Sequence, residues 1–109
     1  MKFVSFLLKG QPKFGVSDGK NITDLTGKIK GAQTLKELIV NKSINEAKEF
    51  SKKNPGKIKT DEIDYLPVIP NPGKIVCVGL NYSEHVKETG RTVEQNPVIF
   101  LRVPESQTA

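Results

Sequence analysis

Apolar positions fall in short bursts separated by turn-forming residues, a pattern that predicts small strands and short helices rather than one long element. Residues 2–8, Lys2-Phe3-Val4-Ser5-Phe6-Leu7-Leu8, are rich in strand formers and are followed by Gly10, Gln11 and Pro12, expected as a turn. Residues 13–17 alternate briefly around Phe14 and Val16, and Asp18-Gly19 then supplies a hairpin signal. Lys20 to Leu25 continues as a third short strand carrying Ile22 and Leu25. The expectation is an antiparallel meander near the N-terminus.

The period then changes to that of helices. Thr34-Leu35-Lys36-Glu37 has the spacing of a capping box, with Leu35, Leu38 and Ile39 as the apolar face of the helix it starts. Ser43-Ile44-Asn45-Glu46 repeats that spacing and predicts a second helix to about Lys53, with Ala47 and Phe50 inward. Glu49 and Lys53 stand four apart in the favourable order for an ion pair. Asn54-Pro55-Gly56 ends the helix.

Residues 60–68, with Ile63, Tyr65, Leu66 and Val68, predict a further strand. Pro67, Pro70 and Pro72, closed by Gly73, read as a linker, because each proline holds its predecessor extended. The chain is therefore divided into a small domain over 1–66, a linker over 67–73 and the start of another domain over 74–109. That last part holds an expected strand at Lys74–Gly79, a short helix from about Ser83 to Thr89 capped by Gly90, and a strand at Val98–Arg102. The fold class expected is α+β.

Composition narrows the function classes. The net charge of +5 raises the question of nucleic acid, but only two of the cations are Arg (Arg91 and Arg102) and the lysines are dispersed from Lys2 to Lys87. No basic block interleaved with aromatics is present, so a solvated lysine surface is expected and nucleic acid is not expected as a partner. No apolar run approaches the roughly 20 residues of a membrane span. The opening Met1-Lys2-Phe3-Val4 superficially suggests a signal peptide, yet Ser5 and Lys9 break the apolar run and no small-residue cleavage site follows. A cytoplasmic location is expected. Cys77 is the only cysteine, which excludes an internal disulfide, and its apolar neighbours make it a core filler rather than a nucleophile.

One constellation carries chemistry. In residues 72–90 an apolar strand ends at Gly79, a polar turn Leu80-Asn81-Tyr82 follows, and His85 and Glu88 come next. His85 is the only histidine, and Glu88 three residues on shares its face of a helix. A carboxylate bonded to imidazole fixes its tautomer and raises its basicity, which suits a general base near neutral pH. Residue types alone favour a plain surface pair over a catalytic one by about two to one. A zinc site fares worse, since no second His or Cys stands at a suitable spacing.

The ordered series Pro72-Gly73-Lys74-Ile75, an apolar run, Gly79-Leu80-Asn81-Tyr82, His85, Glu88 and then Asn96-Pro97-Val98-Ile99-Phe100-Leu101-Arg102-Val103-Pro104-Glu105-Ser106 resembles the fumarylacetoacetate hydrolase family. The similarity is nearest to bacterial members described as 2-keto-4-pentenoate hydratase or 2-hydroxyhepta-2,4-diene-1,7-dioate isomerase, and extends loosely over the N-terminal meander. It implies the first strand-helix-strand of a truncated β-rich domain, in an enzyme of acylpyruvate-like dicarbonyl acids in aromatic catabolism. Carbon–carbon hydrolysis, hydration, isomerisation or decarboxylation all fall within it. The resemblance implies a divalent metal, Mg²⁺ or in its place Mn²⁺ or Ca²⁺, that polarises the keto acid. His85 and Glu88 fall on the pair that activates or positions water. Arg102 and Tyr82 fall on positions open to substrate contact, with a strand-end charge and a packing role as equal alternatives. The resemblance further implies a homodimer at full length and metal ligands C-terminal to Ala109, so these 109 residues alone are expected to be inactive. A small non-catalytic binding or assembly domain is the alternative, and a basic nucleic-acid binder a third reading.

Overall fold

The N-terminal sheet is assembled around β1 (Lys2–Leu8), whose Phe6 is fully buried. A computed structural model describes residues 1–79 and 98–109. It divides into two units, Met1–Asn71 with Gln107–Ala109, and Pro72–Ser106.

In the first unit β1 pairs antiparallel with β2 (Gln11–Ser17), Leu8 opposite Gln11 and Lys2 opposite Ser17. The turn is the pair Lys9-Gly10, both at positive φ (51° and 76°), the two-residue geometry that matches strand twist. Gln11 and Pro12, expected in the turn, open β2 instead. The Phe14 N–H points away from β1, to the Thr26 hydroxyl at 3.1 Å. Pro12, two residues earlier, has its nitrogen on that same side, so its missing N–H removes nothing from the β1 ladder.

The Asp18-Gly19 turn forms as expected, with the Asp18 carboxylate accepting from the Lys20 and Asn21 amides at 2.8 and 2.7 Å. β3 (Asn21–Asp24) follows and packs so closely that a Cβ on Gly15 would lie 2.3 Å from the Thr23 carbonyl oxygen. Two further strands complete the sheet, of which only β4 had no counterpart in the pattern. β4 (Ile58–Lys59) pairs with β3, and β5 (Asp64–Leu66) pairs with β1, giving the order β4-β3-β2-β1-β5. The expected strand over 60–68 is only β5, because Thr60–Glu62 winds into a 3₁₀ turn first.

Helix α1 (Leu35–Val40) starts at the expected capping box: Thr34 Oγ1 accepts from the Glu37 amide, and the Glu37 carboxylate accepts from the Thr34 amide. Leu35 and Leu38 are buried, whereas Ile39 is 49% exposed and does not join that face. Lys42, at φ 56°, closes the helix: its amide donates to Ile39 O and the Ser43 amide to Leu38 O, a Schellman ending with Lys where Gly is usual. That ending explains a second correction. Helix α2 (Ile44–Lys53) has Ser43 as N-cap, but Ser43 sits at φ −89°, ψ 18° and makes no side-chain cap bond. Its backbone is committed to finishing α1, so the second capping box does not form. The ion pair on α2 is Glu49 with Lys52 at 2.7 Å, not with Lys53; exposed, it contributes little.

The core lies between sheet and helices. Phe14, Val16, Leu25, Ile29, Ala32, Leu35, Leu38 and Ala47 form one buried cluster, with Phe3, Ile44, Phe50 and Ile69 packed on it. The second unit, by itself, is a two-stranded antiparallel ribbon of β6 (Ile75–Gly79) and β7 (Val98–Arg102), followed by a 3₁₀ turn at Pro104–Ser106. The expected helix over Ser83–Thr89 lies outside the described residues.

Candidate functional site

β-Branched residues and the absence of Pro within Ile75-Val76-Cys77-Val78 and Val98-Ile99-Phe100-Leu101 explain why these stretches pair as strands. The register sets Gly79 opposite Val98 at one end and Ile75 opposite Arg102 at the other. Residues 80–97 therefore leave the ribbon at Gly79 and re-enter it at the residue paired with Gly79. His85, Glu88 and Tyr82 belong to that connection and lie outside the described residues.

Arg102 is described, and it stands at the other end of the ribbon. Four strand steps separate its Cα from Val98, about 13 Å at the usual strand rise. Its guanidinium is occupied locally: Nε donates to Ser106 Oγ at 3.1 Å and a terminal nitrogen donates to the Ser106 carbonyl. Ser106 Oγ in turn donates to the Val103 carbonyl at 2.6 Å. Arg102 thus braces the 3₁₀ turn that follows β7, a contact set by the i, i+4 spacing.

Directly opposed residues share a face, so Val76, Val78, Ile99 and Leu101 lie together on one side of the ribbon. All four are more than half exposed. The expected apolar strand forms, but among the described residues no layer stands behind it to remove Val76 and Val78 from water. Cys77, on the other face, is half-buried rather than core.

In the first unit the polar cluster that stands out is Lys13 with Asp24. Lys13 Nζ donates to Asp24 Oδ2 at 2.6 Å, and Asp24 Oδ1 accepts from the Thr26 amide at 2.9 Å. Partial burial works to raise the Asp24 pKa, but the bonds from Lys13 and Thr26 outweigh it and hold the carboxyl below its ordinary value. The spacing of 11 residues bears no helical or turn signal, so only the β2–β3 pairing reveals this cluster. Beside it an open cavity of about 370 Å³ is lined by Leu7, Pro12, Phe14, Leu35, Leu66 and Pro70, with Lys13, Gln33, Thr34 and Asn71 among its polar groups. Lys13 is neutralised by Asp24, which leaves the cavity without a net charge to select a ligand.

Among the described residues no three His, Cys, Asp or Glu side chains come together as a metal site. No helix among the described residues is long and apolar enough to cross a membrane.

No family model matches the chain. Curated proteins do. The chain is 30% identical over 100 residues to the mitochondrial oxaloacetate tautomerase of Xenopus laevis, covering 87% of this chain and 31% of that protein. It is 52% identical over 33 residues to an oxaloacetate tautomerase of Escherichia coli K12, and 58% identical over 33 residues to a mitochondrial oxaloacetate tautomerase of Arabidopsis thaliana. Each of those two matches covers 30% of this chain and 15% of the relative. The chain thus spans less than a third of the length of these relatives.

Proposed function

Because this chain belongs to the fumarylacetoacetate hydrolase family, matching a portion of its members' length, we propose that it is part of an enzyme that interconverts the keto and enol forms of a 2-keto dicarboxylic acid such as oxaloacetate. The observation that carries this reading is that relatives from an amphibian, a bacterium and a plant are all oxaloacetate tautomerases. The relatives' activity belongs to chains of which this one spans less than a third.

The chemistry asked of the protein is proton transfer. Ketonisation moves a proton from the enol oxygen to the adjacent carbon, and the reverse step takes it back. A single imidazole can serve both directions: protonated, it donates at carbon while the enol oxygen's proton passes to water, and neutral, it abstracts from that carbon in the reverse step as the oxygen takes a proton back. His85 is the chain's only histidine and is assigned that role, with Glu88 orienting it. Tyr82 and Arg102 are assigned substrate contact; for Arg102 this requires its guanidinium to leave Ser106. Support for this reading comes from the pairing of Gly79 with Val98, the residues that flank the segment carrying His85, since catalytic groups are often carried on loops that follow strands.

Carbon–carbon hydrolysis of an acylpyruvate, with the His–Glu pair directing water, is the second chemistry open to the same residues. The two part on product: tautomerisation releases nothing, whereas hydrolysis releases pyruvate and a carboxylic acid. In the polypeptide as its gene encodes it, His85→Ala should slow decay of the oxaloacetate enol absorbance by on the order of 100-fold, with the unfolding midpoint unchanged. A rate within twofold of the unaltered enzyme would remove His85 from the mechanism.

A further inference from the structure

Asp18-Gly19 is the one place in the chain where Asp or Asn comes before Gly. With no Cβ on residue 19, nothing shields its nitrogen from the Asp18 side chain. A carboxyl one methylene from the backbone can close on that nitrogen into a five-membered imide. Both residues are exposed, so water reaches them. Exposure alone would let the pair react as it does in a flexible peptide. The turn sets three hydrogen bonds against that. Asp18 Oδ1 accepts from the Lys20 and Asn21 amides at 2.8 and 2.7 Å, and the Gly19 amide donates to Ser17 Oγ at 3.0 Å. Ser17 is only 6% exposed, so water is poorly placed to take over its share.

We propose that Asp18-Gly19 is a site of isoaspartate formation that the folded turn holds closed through Ser17, Lys20 and Asn21. The reaction joins the Gly19 nitrogen to Asp18 Cγ. The bond from Cγ to its hydroxyl breaks, and that hydroxyl leaves as water with the proton from Gly19. One water then opens the imide. Cleavage of the nitrogen bond to Cγ restores Asp; cleavage of the bond to the Asp18 backbone carbonyl carbon leaves the chain running through Cβ and Cγ. Mass is unchanged overall, but the main chain is longer by one methylene. Each contact of the turn opposes one requirement. The neutral acid expels water more readily than the carboxylate, and the amides of Asn21 and Lys20 hold the Asp18 carboxyl below its ordinary pKa. The same two bonds keep Cγ from swinging onto the Gly19 nitrogen. That nitrogen must shed its proton, which is bonded to Ser17 Oγ. Ser17 opposite Ile22 is the last pair before the turn, so the added methylene would fall at the link between β2 and β3.

Trypsin cuts after Lys13 and Lys20, which releases Asp18 and Gly19 on one peptide. Conversion is then followed by chromatography against synthetic Asp and isoaspartate forms of that peptide, after incubating the whole chain in mildly acidic buffer, native and in guanidinium chloride. Isoaspartate should accumulate at least about tenfold more slowly in the native chain, since each bond released on the way to the imide costs up to roughly that factor. Ser17→Ala should recover about threefold of the rate, and Ser17→Thr, which keeps the hydroxyl, should stay slow. Equal rates in the native and unfolded chain, or no conversion in the unfolded chain, would overturn the proposal, and that comparison needs no variant to fold. A Ser17→Ala chain with an unfolding transition intact, converting no faster than the unaltered one, would overturn the part assigned to Ser17.

Discussion

The two units put strand-forming apolar residues to opposite use. In β2, Phe14 and Val16 are 1% and 6% exposed; in the ribbon, Val76 and Leu101 are 58% and 68% exposed. The difference does not lie in residue type alone, since Val and Phe stand in strands of both. It lies in what stands behind each strand. The five-stranded sheet has two helices and the 25–35 loop laid on one face, so its apolar side chains leave water; the ribbon has two strands and, among the described residues, nothing on the Val76–Leu101 face. Burial of an apolar side chain is worth about 1.5–3 kcal/mol, so the first unit gains stability from each such residue and the ribbon gains little. Intrinsic strand preference makes a strand; only a second layer makes it count.

The widest gap should appear between Gly15→Ala and Val76→Ala. An added Cβ at residue 15 would lie 2.3 Å from the Thr23 carbonyl oxygen, a backbone atom that cannot yield without parting β2 from β3. Loss of about 3 kcal/mol or more is expected in urea unfolding, against a change within about 0.5 kcal/mol for Val76→Ala. A costly Val76→Ala would mean that the ribbon face is covered in solution.

Acid should act on the first unit before the ribbon, through Asp24. Its folded pKa is depressed, so its contribution is present above the unfolded value of about 3.9 and is lost as pH falls through the lower folded value. Asp24→Asn should cost about 1 kcal/mol at pH 7 and flatten the stability profile below about pH 4. A profile of unchanged slope in that window would show that the Lys13–Asp24 pair does not persist in solution.

The smallest effect has the opposite sign. Lys42 occupies the left-handed region at the end of α1 without need of its side chain. Lys42→Gly should raise the unfolding free energy of the first unit by about 1 kcal/mol, and leave Val76 and Leu101 amide exchange in the ribbon unaltered. A loss of stability would mean that the Lys42 side chain makes a contact that outweighs its backbone cost.

Much of this fold was legible in the chain because it is written in local contacts. The Thr34–Glu37 capping box and the Asp18-Gly19 turn join residues three apart, and their side chains meet whatever the rest of the protein does. The candidate site was legible in the same limited sense: His85 and Glu88 show their spacing, and the register of Gly79 with Val98 marks where their segment leaves and returns. The tertiary structure decided the rest. Nothing local distinguishes Asp64–Leu66 from other short apolar stretches, and its place beside β1 follows from packing between residues some 60 positions apart. Ser43 has the composition of a helix cap but finishes the preceding helix, because its amide is taken by Leu38. The lysine spacing along the chain could not show that Lys13 meets Asp24 across two strands. The sequence by itself determined most of the described elements and the family; which faces are dry, and which polar groups pair, came from how those elements stack, since burial and long-range hydrogen bonding are properties of the assembled layers.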